Sequence, residues 1–133
     1  RTMKRLTLAV VLLAGLHGAC ALWEYQDTKI RSVGIYLPVD AERKNFGFER
    51  LAINRRLRAP LDRFLADRPP PDYIYEYNEA TREGLRLYYL EEDRVYDFLE
   101  QNVNPHSALM KEARPLTSFE KAYLQELRTR QPL

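Results

Sequence analysis

A single cysteine in 133 residues, Cys20, excludes an intramolecular disulfide, so any domain formed here is held by packing. Histidine is nearly as scarce, with only His17 and His106. A metal site needs several imidazole, thiolate or carboxylate ligands at close spacing, and no such cluster is written into the chain. Nucleophilic catalysis has equally little to draw on: His106 and Ser107 are neighbours in sequence, and adjacency does not define a site. Among 19 acidic residues, none stands out as the acid and base of a glycosidase. No nucleotide-binding motif and no internal repeat occur. These absences predict no catalytic residues, no metal and no cofactor, and they leave a small hydrolase as the last of three functional readings.

Excess charge of one sign is also missing. Beyond residue 21 the chain carries 18 Lys and Arg against 19 Asp and Glu, a net charge of −1. That balance predicts no nucleic-acid partner. The charges are unevenly spread: residues 21–71 hold 10 cations and 7 anions, and residues 72–133 hold 8 cations and 12 anions. Arg50, Arg55, Arg56, Arg58 and Arg63 fall in one helical stretch and form a candidate basic face for anionic lipid or an acidic partner. A solvated helix face is the plainer account of the same residues.

What is present is a leader. Met3, Lys4 and Arg5 precede an apolar run from Leu6 to Leu16, and His17-Gly18-Ala19-Cys20-Ala21 closes it with small residues. Cations, apolar run and small-residue tail are the three parts of an export signal: the cations stay on the cytoplasmic side while the run partitions into the membrane. Residues 1–21 are therefore assigned as signal peptide or membrane segment, with Arg1 and Thr2 set aside, and residues 22–133 as one small domain.

Gly18-Ala19-Cys20 resembles the small-small-Cys end of a bacterial lipobox, with His17 where such boxes carry leucine. The resemblance implies a lipoprotein lipidated on Cys20. Ala21 and Leu22, with no aspartate after the cysteine, imply delivery to the outer membrane facing the periplasm. Two other fates stay open. An A-x-A site at Ala19-Cys20-Ala21 would release a soluble periplasmic chain starting at Leu22, and Leu6 to Trp23 approaches the length of an uncleaved span.

In the domain, Val33, Ile35 and Leu37 alternate as a half-buried strand, Ile30–Leu37, requires. Phe48, Leu51, Leu57, Leu61, Phe64 and Leu65 recur at steps of three and four, which predicts a helix that Pro60 kinks or restarts. Phe46–Ile53 as a second strand is the rival reading. Pro69-Pro70-Pro71 removes three donors and reads as a stiff connector. Tyr73-Ile74-Tyr75-Glu76-Tyr77 and Leu85–Leu90 then form a hairpin. Val95, Phe98, Leu99 and Val103 show helical spacing behind the acidic Glu91-Glu92-Asp93, and Ala108-Leu109-Met110 reads as a further short helical piece. A last helix starts at a capping box of Thr117 and Glu120, with Phe119, Tyr123, Leu124 and Leu127 as its stripe.

The expected order is strand, helix, hairpin, helix, helix: an α+β fold with a three-stranded antiparallel sheet and helices on one face. Its open face would carry Tyr73, Tyr75 and Tyr77, with Tyr88 across the hairpin, as a candidate binding surface. The first functional reading is an exported envelope protein that binds another envelope protein without chemistry. The second is a periplasmic carbohydrate or peptidoglycan binder that stacks sugars on the tyrosines.

Overall fold

The computed structural model describes residues 31–101 and 104–130, apart from the side chains of residues 104–107. The leader, Cys20 and Ile30 lie outside the described residues. The elements run β1 (Tyr36–Pro38), α1 (Phe46–Leu57), α2 (Ala59–Leu65), β2 (Tyr73–Glu79), β3 (Arg82–Tyr89), β4 (Arg94–Gln101), β5 (Asn104–Arg114) and α3 (Ser118–Arg130).

The five strands form one antiparallel sheet in the order of the chain. This corrects the three-stranded expectation. Residues 94–101, read as a helix, are β4, and residues 108–110 belong to β5. The spacing of Val95, Phe98 and Leu99 misled because β4 is covered on both faces. Val95, Asp97, Phe98, Leu99 and Glu100 are all buried, and a strand buried on both sides loses the period-two signature. The β-branched and aromatic residues Val95, Tyr96 and Phe98 were the strand signal that periodicity overrode. Glu91-Glu92-Asp93 makes a hairpin turn, with Asp93 at a φ of 53°, and does not open a helix. Pro105, a residue that would stop a helix, sits in β5, which pairs on one side only and so tolerates a missing donor.

The first strand is also shorter than expected. β1 begins at Tyr36; Val33 makes only an isolated parallel bridge to Glu76, and Ile35 is exposed. The long helical stripe, by contrast, is helical from Phe46 onward, and Pro60 restarts it: α1 ends at Leu57, Arg58 is extended, and α2 begins at Ala59. Asn45 joins β1 to α1. Its Oδ1 accepts from the Phe48 N–H at 3.0 Å while its Nδ2 donates to the Pro38 carbonyl at 2.8 Å. The helix lies so close to β1 that a Cβ on Gly47 would stand 2.0 Å from the Pro38 oxygen, which only glycine avoids.

The helices are not confined to one face, a second correction. One face of the sheet, with Ile74, Leu85, Leu87, Tyr89 and Phe98, packs under Leu51 of α1 and Leu61 and Leu65 of α2. The other, with Tyr73, Tyr88 and Val95, is covered at one end by Leu124 of α3 and the preceding Leu116. Each such side chain taken fully out of water contributes roughly 1.5–3 kcal/mol.

The first core contains a polar seam. Arg50, 0% exposed, donates to the Glu76 carboxylate from Nε at 2.8 Å and from Nη2 at 2.5 Å. Asn54 Nδ2 donates to the same carboxylate at 3.1 Å, and its Oδ1 accepts from Arg58 at 2.6 Å. Arg58 continues to Glu83 at 3.1 Å and Glu100 at 3.5 Å. Burial alone would raise the Glu76 carboxyl, but the Arg50 guanidinium, Ser32 and Asn54 hold it below its ordinary value. The seam fixes α1 on the sheet through bidentate geometry as well as apolar contact.

Candidate interaction surface

Alternation along β2 places Tyr73, Tyr75 and Tyr77 on one face, as expected, and pairing sets Tyr36 opposite Tyr75, Tyr88 opposite Tyr73, and Gly84 opposite Tyr77. The four tyrosines do not share an open surface. Tyr73 and Tyr88 are buried beneath α3; Tyr75 and Tyr77 are half-buried. Tyr36 bridges the two sets, 4.7 Å from the Tyr75 ring centre and 5.5 Å from that of Tyr88.

The rings of the half-buried pair are occupied by internal contacts. Tyr77 lies over Gly84, where an added Cβ would come within 2.2–2.6 Å of three ring carbons. An aromatic laid across a strand glycine replaces the packing that the glycine lacks. The Arg86 guanidinium stands 4.4 Å from the Tyr77 centroid and 5.6 Å from that of Tyr75. The Tyr77 hydroxyl donates to Asp97 Oδ1 at 2.5 Å, and Asp97 Oδ2 takes Arg86 Nε at 3.4 Å. Burial first, then the Asp97 carboxylate, push the Tyr77 hydroxyl above its ordinary pKa, so it stays a donor throughout the physiological range. Gly84→Ala should cost about 1–3 kcal/mol in urea unfolding, because the ring must lift and give up Asp97. A variant as stable as the parent would show that the ring moves aside freely.

The aromatic row continues past Tyr36 onto α3. Tyr123 lies 5.4 Å from Tyr36, and Phe119 stacks on Tyr123 at 5.7 Å with planes 13° apart. Phe119 is 69% exposed and Tyr123 40%. The expected single stripe of Phe119, Tyr123, Leu124 and Leu127 is thus two. Leu124 and Leu127 face the sheet, Phe119 faces outward, and Tyr123 lies at the margin between them, against Tyr36 and partly exposed.

The capping box sets this phase. The Glu120 N–H donates to Thr117 Oγ1 at 3.1 Å, and the Thr117 N–H donates to Glu120 Oε1 at 2.9 Å, the reciprocal pair expected from the sequence. The same carboxylate takes both Arg114 nitrogens, at 2.6 and 2.9 Å, and the Tyr88 hydroxyl at 2.9 Å. Glu120 must therefore point inward. Residues 124 and 127 follow it at one and two turns, and residue 119, about 100° away, is turned out. The readable signal was that Glu120, Leu124 and Leu127 share a face only if Phe119 does not.

Burial would raise the Glu120 carboxyl, but Arg114, the Thr117 N–H and the Tyr88 hydroxyl together bring it down to about 2. A depressed folded-state pKa means that this contribution is complete above the ordinary carboxylate value of 4.5 and disappears as pH falls toward 2. Hydrogen exchange should show α3 losing protection across that window ahead of the sheet. Glu120→Gln should be less protected at neutral pH and flatter in acid; equal slopes for parent and variant would contradict the assignment.

The candidate basic face is divided between core and surface. Arg50 and Arg58 are buried in the polar seam; Arg55 pairs with Asp62 at 2.8 Å, and Arg56 and Arg63 are exposed. Cys20 lies outside the described residues, and the backbone of His106 and Ser107 runs within β5. Among the described residues, no group of three or more His, Cys, Asp or Glu is placed to hold a metal ion, and no helix is long and apolar enough to cross a membrane. No protein-family model, curated protein or solved structure matches the chain.

Proposed function

We propose that this chain is a non-catalytic interaction module of the bacterial cell envelope that takes a partner protein on the outer face of α3. In this reading residues 3–21 export it and Cys20 carries the lipid, leaving the domain at the periplasmic face of the outer membrane. The observation that carries the proposal is the stacked, exposed Phe119 and Tyr123 pair on a helix whose adjoining side is anchored by Leu124 and Glu120. Aromatic side chains have few rotatable bonds and so lose little conformational entropy on association, and aromatic anchors carry most of the energy at protein interfaces.

The sugar-binding alternative draws less support, since stacking on a sugar needs free ring faces. Those of Tyr75 and Tyr77 already meet Tyr36, Arg86 and Gly84. The leader composition supports export, and its lipobox-like end supports tethering.

Mild detergent extraction followed by affinity purification tests the reading. One stoichiometric partner should accompany the parent and be lost from Phe119→Asp/Tyr123→Asp while being kept by Arg63→Gln. Intact mass should show a diacyl or triacyl increment on a chain starting at Cys20. A bare monomer at every salt concentration would remove the interaction reading, and an unmodified chain starting at Leu22 would remove the tether.

A further inference from the structure

A cleft of about 890 Å3 opens beside the triproline connector, on the side of the sheet covered by α1 and α2. That volume lies in the usual range for ligand-binding clefts. Its charge is one-sided: Asp67, Asp72, Glu91 and Glu92 face a single cation, Arg68. Asp72 spends one oxygen on the Leu90 N–H at 2.7 Å, and Glu92 is 3.7 Å from Arg68. Asp67 and Glu91 have no ion-pair partner among the described residues.

Arg68 shows what the cleft accepts. Its guanidinium carbon sits 4.3 Å from the Phe64 ring centre and 4.8 Å from that of Tyr96, and Nη1 donates to the Tyr96 hydroxyl at 3.2 Å. The Tyr96 hydroxyl donates in turn to Glu92 at 3.3 Å. Two aromatic faces, a hydroxyl and a carboxylate thus surround one cationic head, the set of contacts that holds a guanidinium or ammonium group. Arg68 follows the end of α2 on an exposed turn, so its side chain can leave without unpacking either core.

We infer that this cleft is a recognition site for a basic side chain of a partner polypeptide, and that Arg68 holds the seat as an internal competitor. Charge complementarity selects the occupant: a segment bearing arginine or lysine would pair with Asp67 and Glu91 while its cation takes the place of Arg68 on Phe64 and Tyr96. The site is separate from the outer face of α3 and stands whether or not that face binds a protein.

The test is a titration of the isotope-labelled domain, followed by amide shifts and calorimetry. The probe is a blocked pentapeptide with two arginines, compared with its citrulline counterpart and with spermine. Saturable shifts centred on residues 67, 68, 91 and 92 are expected with the arginine peptide, and none with citrulline. Arg68→Gln should bind about tenfold tighter by removing the competitor, a change of the size a cation–aromatic contact supplies. Arg63→Gln, which removes the same charge outside the cleft, should stay within about twofold, as a single surface charge has little weight. Asp67→Asn/Glu91→Gln should weaken binding about fivefold, and Phe119→Asp/Tyr123→Asp should leave it unchanged. Failure to saturate, equal tightening by Arg68→Gln and Arg63→Gln, or spermine binding as tightly as the peptide would each overturn the inference.

Discussion

Replacing Arg50 with methionine should destabilise the domain by about 3–5 kcal/mol, enough to unfold most of a protein this size at body temperature. The loss does not measure the strength of an ion pair. Arg50 is fully buried, and its removal leaves the Glu76 carboxylate inside the core with only neutral donors, Asn54 at 3.1 Å and Ser32. The abandoned carboxylate then takes up a proton more readily, so Arg50→Met should be least damaging in acid, where the parent is losing stability. Arg50→Met/Glu76→Leu should recover most of the deficit, because two apolar groups of similar volume leave no charge unpaired. Equal instability of the single and double variants in urea unfolding would show that the seam acts by packing alone.

The second large effect falls on binding and spares the fold. Phe119→Asp/Tyr123→Asp should reduce partner affinity by roughly a hundredfold, the range of a central aromatic anchor pair. The domain itself should lose less than about 1 kcal/mol, because Phe119 touches little beyond Tyr123, and Tyr123 gives up one ring contact at 5.4 Å. An unfolded double variant would make the pair part of the core, against its exposure. Arg128→Gln, an exposed change on the same helix, should leave affinity and stability within about twofold and 0.5 kcal/mol, setting the scale for a surface charge.

Where the chain announces its structure, it does so through local chemistry. The Thr117 and Glu120 capping box, the hairpin pairing of Tyr73–Tyr77 with the segment from Leu85, and the helix restart at Pro60 each depend on a few adjacent residues, and each occurs as the residues suggest, although the hairpin strands run on to a two-residue turn at Ala80 and Thr81. What the chain conceals is tertiary. Val95, Phe98 and Leu99 look helical only if one assumes a single buried face, and nothing within β4 tells that α3 will cover the other. β5 hides for a different reason: Pro105 and the exposed Leu109 and Met110 suit an edge strand with register shifts, which periodicity does not describe.

The candidate site divides in the same way. That Tyr73, Tyr75 and Tyr77 share a face followed from strand alternation, but which of them stay exposed depended on where α3 lands. The arginines from Arg50 to Arg63 looked like a solvated or lipid-facing surface because cations are seldom buried. Arg50 and Arg58 are buried because Glu76, Glu83 and Glu100 meet them from strands 26, 25 and 42 residues away, a pairing that no local pattern contains. The cleft at Arg68 likewise brings Tyr96 of β4, 28 residues from Arg68, to the Phe64 and Arg68 pair at the end of α2.

The most direct test of the account places the photo-crosslinking residue p-benzoylphenylalanine at position 119 in the full chain within living cells, with position 63 as the control. The account predicts one discrete adduct in the envelope fraction from position 119 and none from position 63. Equal labelling from both positions, no adduct at position 119, or adducts confined to cytoplasmic proteins would contradict it.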